Sequence, residues 1–208
     1  MSEWGRHERW NDGTRRLNVG CGEWPLPYWI NLDSDPEIEA DVHAVVPPLP
    51  FPDADFDEVY AGHFLEHLTY DDGQAFLKEC WRVLKPFGLL TVVVPDTHEV
   101  MTRYLAHSVD AVPTMIGDEV RYLPVADLDA VCALFLYSTV QKSQHKWSYD
   151  SQTLYRALLR AGFPSDMVPV DRYKDPRLGT GQWYQCGWRV RKQFEPREAD
   201  DDGTGDGA

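Results

Sequence analysis

Leu17-Asn18-Val19-Gly20-Cys21-Gly22, followed by Trp29-Ile30-Asn31-Leu32-Asp33, is the stretch whose reading decides how this chain is built. A short apolar run breaks into glycines, and a second apolar run ends in a carboxylate. In an α/β sheet this is how strand ends meet a nucleotide-like ligand. The glycines let the backbone come close, and a carboxylate can accept both hydroxyls of a ribose. Only ten residues separate Gly22 from Asp33, and Pro25 and Pro27 are among them. A crossover between parallel strands needs about a dozen residues or more and usually a helix, so the first crossover helix is expected to be shortened or missing. The third glycine of the fuller dinucleotide pattern is also absent, with Glu23-Trp24 in its place. No helix N-terminus is offered to a pyrophosphate, which speaks against a dinucleotide and for a nucleoside cofactor without phosphate.

Working outward, Asp41 to Val46 gives a third short apolar run. Pro47-Pro48-Leu49-Pro50-Phe51-Pro52 is too rich in proline for a helix or a central strand and reads as an ordered loop. Phe56 to Ala61 is a fourth strand. Glu66 to Leu84 has apolar residues at Phe76, Leu77, Cys80, Trp81 and Leu84, the spacing of a helix with one buried face, stopped by Lys85-Pro86-Phe87-Gly88. Leu89 to Val94 is wholly apolar apart from Thr91, as expected at the centre of a sheet covered on both faces. This alternation predicts an open, mostly parallel α/β sheet whose ligands bind beyond the carboxyl ends of its strands.

Beyond Asp96, Met101 to Leu105 and Asp127 to Tyr137 have helical spacing, broken between them by Pro113, Gly117 and Pro124. A helical insertion over about 97–145 is expected, either folding over the mouth of the site as a lid or covering a sheet face. Ser151 reads as the N-cap of a helix over 152–161 that ends at Gly162. Met167 to Arg172 and Trp183 to Arg191 read as the last two strands, a hairpin-like pair at one edge. Residues 1–14 are expected to form an irregular arm, 15–192 the domain and 193–208 an acidic, disordered tail.

A chain of 208 residues with 43% hydrophobic and 12% aromatic residues has the material for one domain with a proper core. No run approaches the roughly 20 apolar residues of a membrane span, and Met1-Ser2-Glu3-Trp4 begins no signal peptide, so a cytoplasmic protein without membrane contact is expected. The formal net charge is -14; the tail from Glu195 carries -5 of it, leaving -9 for the body. An acidic body makes nucleic acid an unfavoured partner. Cys21, Cys80, Cys132 and Cys186 lie far apart with no Cys-x-x-Cys pair, so they are read as reduced and packed. Eight tryptophans leave room for a buried homo-oligomer surface.

The ordered series resembles the class I S-adenosylmethionine-dependent methyltransferases, of the type 11-like kind. It runs from Leu17-Asn18-Val19-Gly20-Cys21-Gly22 and Trp29-Ile30-Asn31-Leu32-Asp33 through Leu49-Pro50-Phe51-Pro52-Asp53 and Phe56-Asp57-Glu58-Val59-Tyr60. It continues with His63-Phe64-Leu65-Glu66-His67-Leu68, Arg82-Val83-Leu84-Lys85-Pro86-Phe87-Gly88 and the strand into Val94-Pro95-Asp96. The short gap before Asp33 and the later His145-Lys146-Trp147-Ser148-Tyr149-Asp150 are similar to a bacterial subgroup associated with glycan or natural-product pathways.

The resemblance covers roughly residues 15–165. It implies a Rossmann-like seven-stranded sheet flanked by helices, with the last strand antiparallel, and S-adenosyl-L-methionine as cofactor. It implies a cofactor site at Asn18, Gly20, Cys21, Gly22, Asp33, Ala61, Gly62 and His63. The family's adenine contact after the third strand falls here on Val45, so backbone or a neighbour such as His43 must supply it.

Methyl transfer is an in-line displacement at a carbon activated by positive sulfur, and the protein's part is chiefly positioning. A hydroxyl acceptor must also lose a proton, a task suited to histidine. His63 and His145 are the base candidates, Asp96 the orienter or acceptor ligand, and His67 a further candidate or a helix-start cap. His63 and His67 are four apart and would share a helix face, but without an obvious carboxylate third ligand no metal site is read from them. The expected activity is methylation of a small molecule or sugar, at oxygen with histidine assistance. The alternatives are N-methylation of an amino sugar or peptide, or a methyltransferase-fold subunit without turnover that serves binding or assembly.

Overall fold

The computed structural model describes residues 13–105, 111–116, 119–124, 145–171 and 184–193. Strands β1 (Arg16–Val19), β2 (Ile30–Asp33), β3 (Val42–His43), β4 (Phe56–Gly62) and β5 (Leu84–Pro95) run parallel. A 3-10 turn (Leu65–His67) and helix α1 (Tyr70–Val83) lie between β4 and β5. After β5 come α2 (Thr97–Leu105), the ribbon β6 (Ala111–Ile116) and β7 (Glu119–Pro124), α3 (Ser151–Arg160), β8 (Val168–Pro169) and β9 (Gln185–Arg191). The seven-stranded sheet has the order β3-β2-β1-β4-β5-β9-β8, with β9 antiparallel to both of its neighbours. This is the expected Rossmann-like arrangement, and the described chain between β1 and β2 contains no helix.

Packing explains the order. β5 holds Val92, Val93 and Val94 fully buried, so both faces of its central segment are covered, as its apolar run requires. α1 turns Phe76, Leu77, Cys80 and Val83 inward, and α3 turns Leu154, Ala157 and Leu158. Trp81 on α1 and Phe163 after α3 meet edge to face at 5.0 Å, which ties the two helices over one side of the sheet. The proline-rich loop is ordered, as expected. Arg82 donates to the carbonyls of Leu49 and Phe51 at 3.0 and 2.8 Å and to Asp53, which fastens the loop to α1.

Several boundaries differ from the sequence reading. The helix expected from Glu66 starts at Tyr70, because Thr69 accepts a bond from Asp72 N and caps it, while Leu65–His67 forms the tighter turn before it. His63 and His67 therefore do not share a helix face. The N-cap of α3 is Asp150, not Ser151: its carboxylate accepts from Thr153 N at 2.7 Å, and the Thr153 hydroxyl accepts from Asp150 N at 2.8 Å. Of the third apolar run only Val42–His43 pairs, and of the run from Met167 only Val168–Pro169. The insertion is not wholly helical, since Ala111–Ile116 and Glu119–Pro124 pair as an antiparallel ribbon, in keeping with their β-branched content. The expected helix Asp127 to Tyr137, the arm up to residue 12, Cys132 and the tail from residue 194 lie outside the described residues. Cys21, Cys80 and Cys186 are buried, packed as expected.

Candidate active site

Because the first five strands run one way in register, their carboxyl ends form a single edge. Gly20, Asp33, His43, His63 and Asp96 stand along it, at the ends of β1, β2, β3, β4 and β5. Open parallel sheets bind ligands at this edge.

The turn after β1 is held by Leu32, whose carbonyl accepts from Gly20 N and Cys21 N at 2.8 and 3.1 Å. Gly20 and Gly22 both have positive φ, 65° and 51°, a conformation open to glycine at little cost. Their neighbourhoods differ. A Cβ on Gly20 would strike the Phe64 ring, so this glycine admits an aromatic side chain of the protein itself. A Cβ on Gly22 would meet nothing within 4 Å, so its open side faces free space. Gly22 N donates to Asp33 Oδ2 at 2.9 Å and Asp35 N to Asp33 Oδ1 at 3.0 Å. With one backbone donor on each oxygen, the Asp33 carboxylate is oriented and retains lone pairs for further donors.

The link that lacks a helix is fastened by two asparagines. Asn31 Oδ1 accepts from Leu26 N at 2.8 Å and from Asn18 Nδ2 at 2.9 Å. Asn31 Nδ2 donates toward the carbonyls of Leu26 and Trp29 and toward Asp41 Oδ2, at 3.1, 3.2 and 3.2 Å. Asn18, fully buried, also reaches the Trp24 carbonyl at 3.5 Å. Its amide donors thus go to Asn31 and the Trp24 carbonyl. Cys21, Ala61 and Gly62 are buried behind the edge, and a Cβ on Gly62 would strike the hydroxyl of Tyr60.

Beyond β4 the chain gathers the histidines. His63 has φ 53°, uncommon for a residue with a side chain and costing about 1–2 kcal/mol. Its backbone N bonds the Val93 carbonyl at 2.8 Å, which fixes the turn. The ring reaches two ways: Nε2 stands 3.0 Å from Gln185 Oε1 on β9, and Nδ1 stands 3.5 Å from Glu66 Oε1. Glu66 is 2% exposed. Burial opposes its ionisation, but the His63 imidazole first, with His67 and His145 beside it, outweighs burial and holds the carboxyl below its ordinary value. The His67 and His145 rings pack edge to face at 4.6 Å. Burial pushes His145 down to about 4, only partly offset by Glu66, so its ring is neutral at pH 7. Lys146 N and Trp147 N both donate to the Glu66 carbonyl, at 2.8 and 3.2 Å, which explains why the late segment lies on this turn. Ligand atoms of Glu66, His67 and His145 all lie within 4.8 Å of one another. The carboxylate that the His63–His67 spacing lacked is Glu66, and its companions in this cluster are His67 and His145, not His63.

Asp96 is buried at the end of β5 and accepts from Glu99 N at 3.2 Å in the first turn of α2. Its backbone pairs with Tyr149 as an isolated parallel bridge, so residues 96 and 149 adjoin. His43 pairs with Asp33 in register and is exposed, and Val45 beyond it is 81% exposed. Sequence reasoning missed Gln185, Asn31 and Phe64. Gln185 carried a signal, a polar residue opening a strand at its buried end, before Cys186 and Gly187. Phe64 carried none.

A family model described as a methyltransferase domain matches residues 28–92, from the helix-free link through the buried part of β5. Solved structures resemble most of the chain. One is a Thermotoga maritima S-adenosylmethionine-dependent methyltransferase described as a possible histamine N-methyltransferase. It is 18% identical with a TM-score of 0.57, and 86% of this chain covers 83% of that one. Another is an S-adenosylmethionine-dependent methyltransferase of Mesorhizobium loti, 14% identical with a TM-score of 0.53, covering 86% and 91% of the two chains. The chain has the fold of the S-adenosylmethionine-dependent methyltransferases. A third, Haemonchus contortus phosphoethanolamine N-methyltransferase 2 in complex with S-adenosyl-L-methionine, is 12% identical with a TM-score of 0.53; 87% of this chain covers 49% of that one. No curated protein matches the sequence. Domain model and fold together support an S-adenosylmethionine-dependent methyltransferase. The residues fit that cofactor: the open side of Gly22 and the remaining lone pairs of Asp33 suit a ribose carrying no phosphate.

Proposed function

We propose that the chain transfers a methyl group from S-adenosylmethionine to a small molecule or sugar, at a hydroxyl oxygen, and that it belongs to a bacterial subgroup modifying glycans or natural products. The observation that carries the cofactor half is the Gly22–Asp33 pair, a backbone N–H and a carboxylate locked together beside open space at the carboxyl edge. Bound there, S-adenosylmethionine supplies a methyl group on positive sulfur, already activated for displacement. Asp33 accepts the ribose hydroxyls, the Gly20–Gly22 turn gives the close backbone approach, and His43 with the exposed backbone near Val45 borders the adenine.

The chain's remaining task is to orient the acceptor and take its proton. His63 is the leading base: it follows β4 beside the expected methyl end, with Glu66 behind Nδ1 to favour a proton there and Nε2 toward β9. An acceptor hydroxyl would replace Gln185 at Nε2. His145 and Asp96 border the acceptor side, and His67 buttresses His145. One observation favours nitrogen as the acceptor atom instead: both ring nitrogens of His63 already face protein partners, and a neutral amine needs no base before attack. The acceptors named for two of the similar structures are amines. The tests are titration with S-adenosylhomocysteine, then mass-resolved methyl transfer over a panel of hydroxylated and amino acceptors. No heat or thermal shift at millimolar S-adenosylhomocysteine refutes the cofactor reading, and a His63→Ala variant active on amines alone assigns the acceptor to nitrogen.

A further inference from the structure

We infer that Glu66, His67 and His145 form a binding site for a divalent transition cation of the zinc class. This goes beyond the methyl-transfer reading and does not depend on it. The three side chains offer two imidazole nitrogens and a carboxylate oxygen, all within 4.8 Å of one another. That set suits zinc and its neighbours rather than magnesium, which takes oxygen ligands and keeps its waters. Ligands about 2.0–2.1 Å from a tetrahedral zinc stand roughly 3.3 Å apart, so the side chains need to close by about 1.5 Å at most, within reach of small torsion changes.

The second observation is the carboxylate itself. Glu66 is 2% exposed, and among the described residues neither of its buried oxygens has a hydrogen-bond partner. A buried carboxylate keeps its charge more cheaply beside a cation, and ligand atoms of two imidazoles lie within 4.8 Å of it. His63, with Nδ1 3.5 Å from Oε1, supports the carboxylate from the other side, as outer partners of metal ligands do. The backbone is already in place for such a site. Lys146 N and Trp147 N hold the late segment on the Glu66 carbonyl, and His67 N bonds the Phe64 carbonyl at 3.0 Å. A cation here would clamp the segment that returns from the insertion onto the turn after β4. Tyr149, three residues beyond Lys146, bridges to Asp96 at the end of β5, so the clamp would fix one wall of the candidate acceptor side.

The test uses the full chain, dialysed against a chelator and titrated with Co²⁺ or Zn²⁺ alone. One equivalent is expected, with the visible absorption of four-coordinate Co²⁺, displacement by Zn²⁺ and no displacement by Mg²⁺. At a hundredfold excess over Kd the melting temperature is expected to rise by about 5–10 °C. His67→Gln and His145→Gln are each expected to weaken binding at least tenfold, and His43→Gln to leave it unchanged. Two outcomes overturn the site: folded wild-type protein that takes up no Co²⁺ or Zn²⁺ at 100 micromolar free ion (a concentration of about that order suffices for any built site), or uptake that persists unchanged in both histidine variants. Because the readout is metal bound and not turnover, failure here leaves S-adenosylhomocysteine binding untouched.

Discussion

Replacing Asn31 by Ala is the sharpest probe of the loop that stands where a crossover helix would be. The Asn31 side chain lies within bonding distance of five partners, on Leu26 twice, Trp29, Asp41 and Asn18. Its amide has two hydrogens for three acceptors, so at most four of these contacts are fully made at once. A typical bond contributes about 0.5–1.5 kcal/mol net, and an orphaned buried donor costs about 1–3 kcal/mol. In the variant the Leu26 and Trp29 groups can turn to water, whereas Asn18 Nδ2, on a fully buried residue, is left with the long contact to Trp24. The expected loss is therefore about 2–4 kcal/mol by urea unfolding, or roughly 5–15 °C in melting temperature for a chain of this size. Asn31→Asp should be worse, because a carboxylate would face the Leu26 and Trp29 carbonyls and Asp41. Function should follow stability here. The same loop presents Gly22 to Asp33, so S-adenosylhomocysteine affinity should fall by about tenfold, near 1.4 kcal/mol. A change below about 0.5 kcal/mol in stability, with unchanged affinity, refutes the claim that this network replaces the helix.

Gly20→Ala and Gly22→Ala should separate: the first meets Phe64 and should cost about 2–4 kcal/mol in folding, while the second should cost about 1 kcal/mol yet abolish cofactor binding, as paired thermal and calorimetric titrations would reveal. Asp33→Ala should weaken S-adenosylhomocysteine by about 1.5–3 kcal/mol with the fold retained, as calorimetry checks. Burial resists ionisation of Asp150, but the Thr153 bonds outweigh it and hold the group below its ordinary value. A lowered carboxylate stabilises above its unfolded pKa and loses that contribution as pH falls through the folded one. Asp150→Ala should therefore cost about 1 kcal/mol at pH 7 and less below about pH 4, measured by urea unfolding across pH. Lys192 Nζ donates to the Trp81 and Leu84 carbonyls at 2.8 Å each, at the end of α1. Lys192→Met should cost about 1–2 kcal/mol by the same assay.

What could be read in the sequence was what depends on chain-local chemistry. β1, β2, β4 and β5 announce themselves through short buried apolar segments, Leu17 and Val19, Ile30 and Leu32, Val59 to Ala61 and Val92 to Val94, and the short link with Pro25 and Pro27 could hold no helix. The boundary errors have one cause: caps compete with one another. Ser151 and Asp150 are both able N-caps, and the choice falls to Asp150 because Thr153 answers it from the third helical position. The same holds at Thr69, where Glu66 looks like a helix start but is drawn into the preceding turn.

The candidate site was legible only where one residue's role is fixed by its own segment. Asp33 and Gly22 are eleven residues apart and joined by a single bond, so the motif that contains them both carries the geometry. The histidine cluster is different in kind. Glu66 and His67 are adjacent, but their partners arrive from residue 145 and, through His63, from Gln185 on a strand inserted between β5 and the sheet edge. No spacing rule connects those positions: Lys146 and Trp147 tie the segment at 145 to the Glu66 carbonyl, and Gln185 arrives because β9 runs antiparallel and so starts where β5 ends. A helical-face argument for His63 and His67 failed for a related reason: the positive φ at His63 turns the chain before any helix begins, and the ring is swung toward β9. The conclusion that follows is physical. Where a strained residue ends one strand and its side chain spans a second strand to a third, as His63 does to Gln185, the strain is held in place by the sheet. Releasing it with Gln185→Ala should therefore loosen His63 before it loosens the fold.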